Sequence, residues 1–311
     1  AMVLGMLAQV GSKHLHLPGI LLLLLSGILF GPDGLNWIDP TSIGPGLHIL
    51  VGFAVAIILF EGGMNLRISR ILRERRAIRG LIIKGAIVTL IGGTFITIVV
   101  LGWDFRTSIL FGTLIIVTGP TVITPLLKRI RVHHGVSTIL EAEGILLDVI
   151  GAIVAVVTLE IAISPSGLFF LTGLYHIVSR LGVGAILGIS GGYLLTVMFL
   201  FRDLIPDGLE NVFILSWVIA LFQVSNTISQ ESGIAAVTIA GMTIGNSKTY
   251  IQQDLLEFKE QLTVLMIGML FILFSADVRL QQIIDLGMAG VLTVFMLIFL
   301  IRPLSVFIAT E

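Results

Sequence analysis

The sequence predicts an all-α polytopic membrane protein, and three observations carry that reading. Of its 311 residues, 56% are hydrophobic and only 12% charged, against roughly a quarter charged in an ordinary soluble domain. Mean hydropathy is +1.09. The apolar residues fall into long runs separated by short polar breaks, and 35 glycines supply small surfaces on which helices pack in lipid. With no cysteine, disulfides, thiolate metal sites and cysteine nucleophiles are excluded. The net charge of −1 discriminates nothing.

A span needs about 20 apolar residues to cross roughly 30 Å of hydrocarbon, and eleven segments are read on that criterion. The first is partial, 1–11, because the chain opens inside an apolar run. Segment 16–31 ends in GPDGLNWIDPTSIGPG, a stretch dense in turn formers. Segment 46–65 stops at the arginine run RISRILRERRAIR (67–79), after which 79–102 continues. Segment 107–127 carries a break of its own at Thr118-Gly119-Pro120-Thr121, and 136–162 follows a short basic loop. The run 169–200 is one long or two-part element; 209–227, 232–246, 260–278 and 285–308 complete the set. The close at Ile308-Ala309-Thr310-Glu311 has no polar tail, so a piece lacking helices at both ends is expected.

Lysine and arginine in the loops set the orientation. Thirteen of them, including Lys13, the six arginines of 67–79, Lys128, Arg129 and Arg131, fall on one side. Only Arg106, Arg180 and Arg279 fall on the other, with Lys84 and Arg302 inside spans. The basic side, with loops 67–79 and 128–135, is therefore expected in the cytoplasm of a plasma (inner) membrane protein. Anchoring on the positive side accounts for the arginine run, so no nucleic-acid partner is expected.

Two interruptions carry the functional signal. A proline inside a helix removes a hydrogen bond and is tolerated in lipid where the freed backbone faces protein, water or an ion. A lone carboxylate at membrane depth also needs a partner or a task, and Asp148 lies within segment 136–162. Rise per residue puts Thr118–Thr121 about 17–21 Å along one helix and Asp148 about 18 Å along the next. Both depths are mid-membrane, and the loop 128–135 makes the helices antiparallel neighbours. Gly144, Gly151, Ala152 and Ala155 share the face of Asp148, which turns it inward to hold a proton or a monovalent cation in turn. Thr118, Thr121 and Thr124 add hydroxyl oxygens, and an unwound turn adds carbonyls, both suited to a hard, weakly held cation. The competing readings are a kink proline and a structural carboxylate.

The ordered set LFEGGMNLR (59–67), VTGPTVITPLLKRIR (117–131), EAEGILLDVIGA (141–152), SGIAAVTIAGMTIGN (232–246) and the helix bearing Ile301-Arg302-Pro303 resembles the monovalent cation:proton antiporter-1 family, the bacterial sodium/proton exchangers and their animal relatives. The resemblance is to its NhaP-like branch and covers nearly the whole chain. It implies the antiporter fold of inverted repeats with a discontinuous helix, scaffold and core bundles interleaved along 1–311, and a homodimer in the bilayer. It implies secondary antiport of Na⁺ or K⁺ against H⁺, with no cofactor and no enzymatic activity. Asp148 matches the acidic residue that binds cation and proton alternately, and Thr118, Gly119, Pro120 and Thr121 match the crossover of the discontinuous helix. Glu143 and Arg302 match an acidic and a basic residue that pair across two helices; direct ion ligation by them is the alternative.

Two departures bear on the ligand set. Many members read Thr-Asp-Pro where this chain has Thr118-Gly119-Pro120, and many carry Asn or Asp where it has Leu147. One titratable carboxylate then favours one-for-one exchange. The alternative in keeping with those losses is a non-transporting sensor; a channel lacks its filter-like repeat, and an intramembrane enzyme lacks its motif. The second crossing half-helix would follow residue 311, so this chain alone is not expected to transport.

Other charged residues are ambiguous. Glu61 is an interfacial helix-end group or an accessory ion ligand alongside Thr124. His133 and His134 are loop residues or a pH sensor. Asp277 is expected to pair with Arg279, and Glu160 to be solvated. Glu257, Lys259 and Glu260 fall on a linker helix.

Overall fold

The computed structural model describes residues 1–15, 17–44, 46–119, 127, 132–163, 169–200, 206, 209–247 and 253–310. In chain order the helices are α1 Met2–Leu15, α2 Gly19–Phe30, α3 Gly46–Asn65, α4 Ile68–Arg73, α5 Arg75–Leu101, α6 Phe105–Leu114, α7 His134–Ile163, α8 Phe169–Leu200, α9 Glu210–Ile228, α10 Ser232–Gly245, α11 Gln253–Ala276 and α12 Leu280–Thr310. A 3₁₀ turn at Pro40–Ile43 follows the capping residue Asp39. Among the described residues, six helices are long and apolar enough to cross a membrane: α3, α5, α7, α8 from Thr172, α9 and α12. The chain is a multi-pass membrane protein of all-α architecture. The run 169–200 is one continuous helix, α8.

Several helices outrun their apolar segments. α5 begins at Arg75 and α11 at Gln253, because Arg, Glu, Lys and Gln are good helix formers and hydropathy reports the bilayer, not the helix. α5 contains π turns at Leu81–Gly85 and Thr97–Leu101, and it ends at Gly102, whose φ of 66° is the left-handed conformation that glycine supplies at a helix C-terminus. α12 bends at Gly287 (φ 53°, ψ −145°), a backbone conformation costly for any residue with a Cβ.

The first part of the expected segment 107–127 starts and breaks earlier than the sequence suggests, and residues 120–126 lie outside the described residues. Asp104 caps α6 two residues earlier, its Oδ2 accepting from the backbone N–H of Arg106 and Thr107 at 3.0 and 3.2 Å. The helix stops at Leu114, ahead of the Gly-Pro pair. Ile115, Ile116, Val117 and Thr118 are four consecutive β-branched residues, which lose side-chain freedom in a helix, and the residue before a proline avoids the helical conformation. Described residues 117–119 are not helical.

The chain divides into two compact units. The first comprises Ala1–Asn65, Leu187–Val224 and Ala236–Gln281. Its core joins Ala54, Ile57 and Ile58 of α3 to Met266, Met269, Leu270 and Leu273 of α11, and Ala8, Leu23 and Ile272 form a second cluster. Backbones close on one another at glycines: Gly241 meets the Phe60 carbonyl, and a Cβ on Gly5 would sit 2.9 Å from the Gly268 backbone. Asp33 accepts from the Arg279 guanidinium at 3.1 Å and from the Leu280 N–H at 2.7 Å. Arg279 therefore pairs with Asp33 and not, as the sequence led one to expect, with Asp277; adjacency in sequence does not outweigh a loop that also caps the start of α12.

The second unit comprises Leu66–Ile186, Ser225–Ala235 and Gln282–Glu311. α5 packs on α6 where Gly112 meets Thr94 and the Leu90 carbonyl, and on α12 where Gly80 meets the Ala309 backbone. Val149 and Ile153 of α7 are buried with Ala235 against Ile177 and Leu181. These contacts fix α7, the helix that carries both Glu143 and Asp148.

Candidate functional site

α7 is 30 residues long, about 45 Å, and Asp148 lies about 21 Å from its start. Gly144, Gly151 and Ala155 are buried and Asp148 and Ala152 half-buried, so the small-residue face is the packed one. Leu147 and Val149, either side of the aspartate, are buried. Among the described residues Asp148 has no hydrogen-bond or ion-pair partner.

The nonhelical segment after α6 lies against this face. A Cβ on Gly151 would come within 2.7 Å of Val117 Cγ2 and 3.5 Å of the Val117 backbone nitrogen and Cα. Glycine is thus what lets this nonhelical backbone lie along α7 one turn beyond Asp148. Thr118, the next residue, has its hydroxyl oxygen buried with no hydrogen-bond partner among the described residues. Gly119 is half-buried beside it. Pro120, Thr121 and Thr124 lie outside the described residues, as do 128–131 of the basic loop.

Glu143 and Arg302 are brought together. Arg302 Nη2 donates to Glu143 Oε1 at 2.8 Å; the glutamate side chain is 1% exposed and the arginine side chain 40%. Arg302 opens the last turns of α12, directly after a π turn at Leu297–Ile301. The pair spans 159 residues of sequence and ties α12 to α7 five residues before Asp148.

A second pair on α7 went unforeseen. Glu160, expected to be solvated, accepts from Arg180 Nη2 at 2.8 and 3.0 Å. Arg180, read as a loop residue, lies within α8 with its side chain only 7% exposed, against 41% for Glu160. A buried cation draws a carboxylate to itself because leaving it unpaired in a low-dielectric interior is costly. The long apolar run around Arg180 carried the signal: an arginine eleven residues into a span is a buried charge in need of a partner.

In the other unit, Glu61 of α3 borders a cavity of about 20 Å³, lined also by Phe60, Asn211 and Val218, room for about one water-sized particle. The amide oxygen of Asn211 is buried there without a hydrogen-bond partner among the described residues. Sequence reasoning singled out Glu61 but not Asn211, which opens α9 among ordinary helix-start residues. His133 caps α7, its Nδ1 accepting from the Gly135 N–H at 3.2 Å.

A family model described as "Sodium/hydrogen exchanger, transmembrane" matches residues 1–311. The chain is 28% identical over 307 residues to the K(+)/H(+) antiporter NhaP2 of Shewanella oneidensis, covering 96% of this chain and 52% of that protein. It is 27% identical over 325 residues to Na(+)/H(+) antiporter 1 of Methanocaldococcus jannaschii, covering 99% and 74%. The solved structure of the sodium proton antiporter MjNhaP1 from that organism at pH 8 superposes with a TM-score of 0.84 at 25% identity, over 99% of this chain and 76% of that one. The chain spans about half the length of the NhaP2 relatives it matches.

Proposed function

The chain belongs to the sodium/hydrogen exchanger family, and on that premise we propose that the protein carrying it exchanges a monovalent cation, Na⁺ or K⁺, for H⁺ at Asp148. The observation that supports this most directly is the contrast among carboxylates on α7. Glu141 accepts from the Ser137 hydroxyl at 2.9 Å, while Glu143 and Glu160 have arginine partners. Asp148 alone of the four has no partner among the described residues, beside the nonhelical segment of residues 117–119. A carboxylate held at membrane depth without a counter-charge is costly, and a proton or a cation relieves that cost in turn. Competition between the two for one site couples the fluxes one for one.

In this reading, Thr118 contributes a hydroxyl oxygen and Gly119, Pro120 and Thr121 contribute backbone carbonyls, a set suited to a weakly held monovalent ion. Thr124 and Glu61 are accessory. Glu143 and Arg302 hold the helices in register and do not touch the ion. The helices around Asp148 form the moving core, which rocks against a homodimer-forming scaffold to expose the site to each side alternately. Loops 67–79 and 128–135 face the cytoplasm of the plasma membrane, as their arginines and lysines favour.

The test is cation-driven proton movement in proteoliposomes loaded with a pH-sensitive dye. Addition of Na⁺, K⁺ or Li⁺ is expected to move protons with the full-length protein that carries this chain and to move none with its Asp148→Asn variant. Undiminished movement in the variant overturns the assignment. Absence of flux in the native protein with every cation instead favours the non-transporting sensor, to which the glycine at 119 and the leucine at 147 also point.

A further inference from the structure

A cavity of about 360 Å³ opens where α4 meets the start of α7, lined by Arg70, Arg73, Glu74, His134, Gly135 and Thr138. That volume is within the usual range of small-molecule sites, roughly 300–1,000 Å³. Three of the six lining residues are basic types, and among the described residues neither guanidinium is paired. Glu74 is the acidic group in the lining. A Cβ on Gly135 would lie 3.2 Å from Glu74 Oε1, so the carboxylate sits against the first turn of α7, where it offsets the helix dipole. Two exposed arginines therefore line one concavity.

We propose that this cavity binds the phosphate headgroup of an anionic phospholipid. Charge alone would suit any phosphate-bearing anion; the build of α4 argues for a lipid. Arg70 and Arg73, three residues apart, share one face of the helix, while Ile68 and Leu72, four apart, share another. Ile68 and Leu72 are both exposed. A short helix with arginines beside exposed aliphatic side chains matches a molecule whose charged head and apolar tail leave in the same sense. A headgroup seated here joins α4 to the first turn of α7, and thereby fixes one end of the helix on which Glu143 and Asp148 are carried. Guanidinium groups grip phosphate through paired N–H donors, and each arginine near a membrane surface strengthens anionic-lipid binding about fivefold.

The experiment titrates the whole chain in neutral detergent micelles with short-chain phosphatidylglycerol and follows the unfolding midpoint. Phosphatidylcholine of the same chain length and inorganic phosphate run in parallel. Phosphatidylglycerol is expected to raise the midpoint and the other two to leave it in place. In Arg70→Gln/Arg73→Gln the half-effect concentration should rise roughly thirtyfold, while Arg75→Gln/Arg76→Gln, with the same charge loss outside the cavity, should change it less than about threefold. Equal responses to the two lipids, or equal losses in the two double variants, overturn the proposal. An inorganic phosphate response matching that of phosphatidylglycerol also overturns it, in favour of a free-anion site. Comparison of the three additives on the native chain decides the matter even where a variant fails to fold.

Discussion

Removing Arg302 should destabilise the protein far more than removing Glu143, and removing both should cost little. Glu143 is 1% exposed, and the guanidinium 2.8 Å away supplies its hydrogen bond; its second oxygen has no hydrogen-bond partner among the described residues. In Arg302→Met the carboxylate becomes a buried, uncompensated charge, a loss of about 3–5 kcal/mol. In Glu143→Leu the arginine side chain, 40% exposed, is free to extend along α12 toward the membrane surface, so the loss is the charge-assisted bond discounted for screening, about 1.5 kcal/mol. The double variant Glu143→Leu/Arg302→Met replaces the pair by apolar side chains of similar volume and should return to within about 1 kcal/mol of the native protein. The coupling energy is then about 4 kcal/mol. Denaturant unfolding in mixed micelles, followed by tryptophan fluorescence, measures all four proteins. Additive single effects, or an Arg302→Met no more costly than Glu143→Leu, would refute the claim that burial of the carboxylate sets the energetics of this pair.

Three further outcomes follow from particular contacts. Gly151→Ala places a methyl group 2.7 Å from Val117 Cγ2 and should cost about 1 kcal/mol as an overpacked contact; Val117→Ala in the same protein should restore both stability and flux, as unfolding and dye assays on the double variant will report. Glu160→Gln should destabilise more than Arg180→Met, because the first strands a guanidinium whose side chain is 7% exposed while the second leaves a carboxylate that is 41% exposed; the order of unfolding midpoints checks this. Asp33 is held below the ordinary carboxylate range by the Leu280 N–H and by Arg279. A depressed folded-state pKa means stability fully present above the unfolded value and lost as pH falls through the folded one. Asp33→Asn should therefore lower the unfolding midpoint at neutral pH, where the native contribution is present, and converge with the native protein as pH falls below about 4, readable from unfolding midpoints across an acid titration.

What was legible in the sequence and what was not divides along a physical line. Helices such as α3, predicted at 46–65 and found at Gly46–Asn65, announce themselves because hydropathy is a local property of the chain. The break after α6 was legible in kind but misplaced, since proline drew attention while the β-branched run from Ile115 to Thr118 ends the helix earlier. Pairings were the least legible. Arg279 chose Asp33, 246 residues away, over Asp277, and Arg180 chose Glu160; helical register against a neighbour sets such choices, and spacing along the chain does not encode it. Glu143 and Arg302 could be matched only through a family resemblance. The same logic makes Asp148 informative. Among the described residues the buried charges Glu143 and Arg180 each have a partner, whereas Asp148 on the same helix as Glu143 has none, and that contrast is what supports the proposal of an exchangeable cation there.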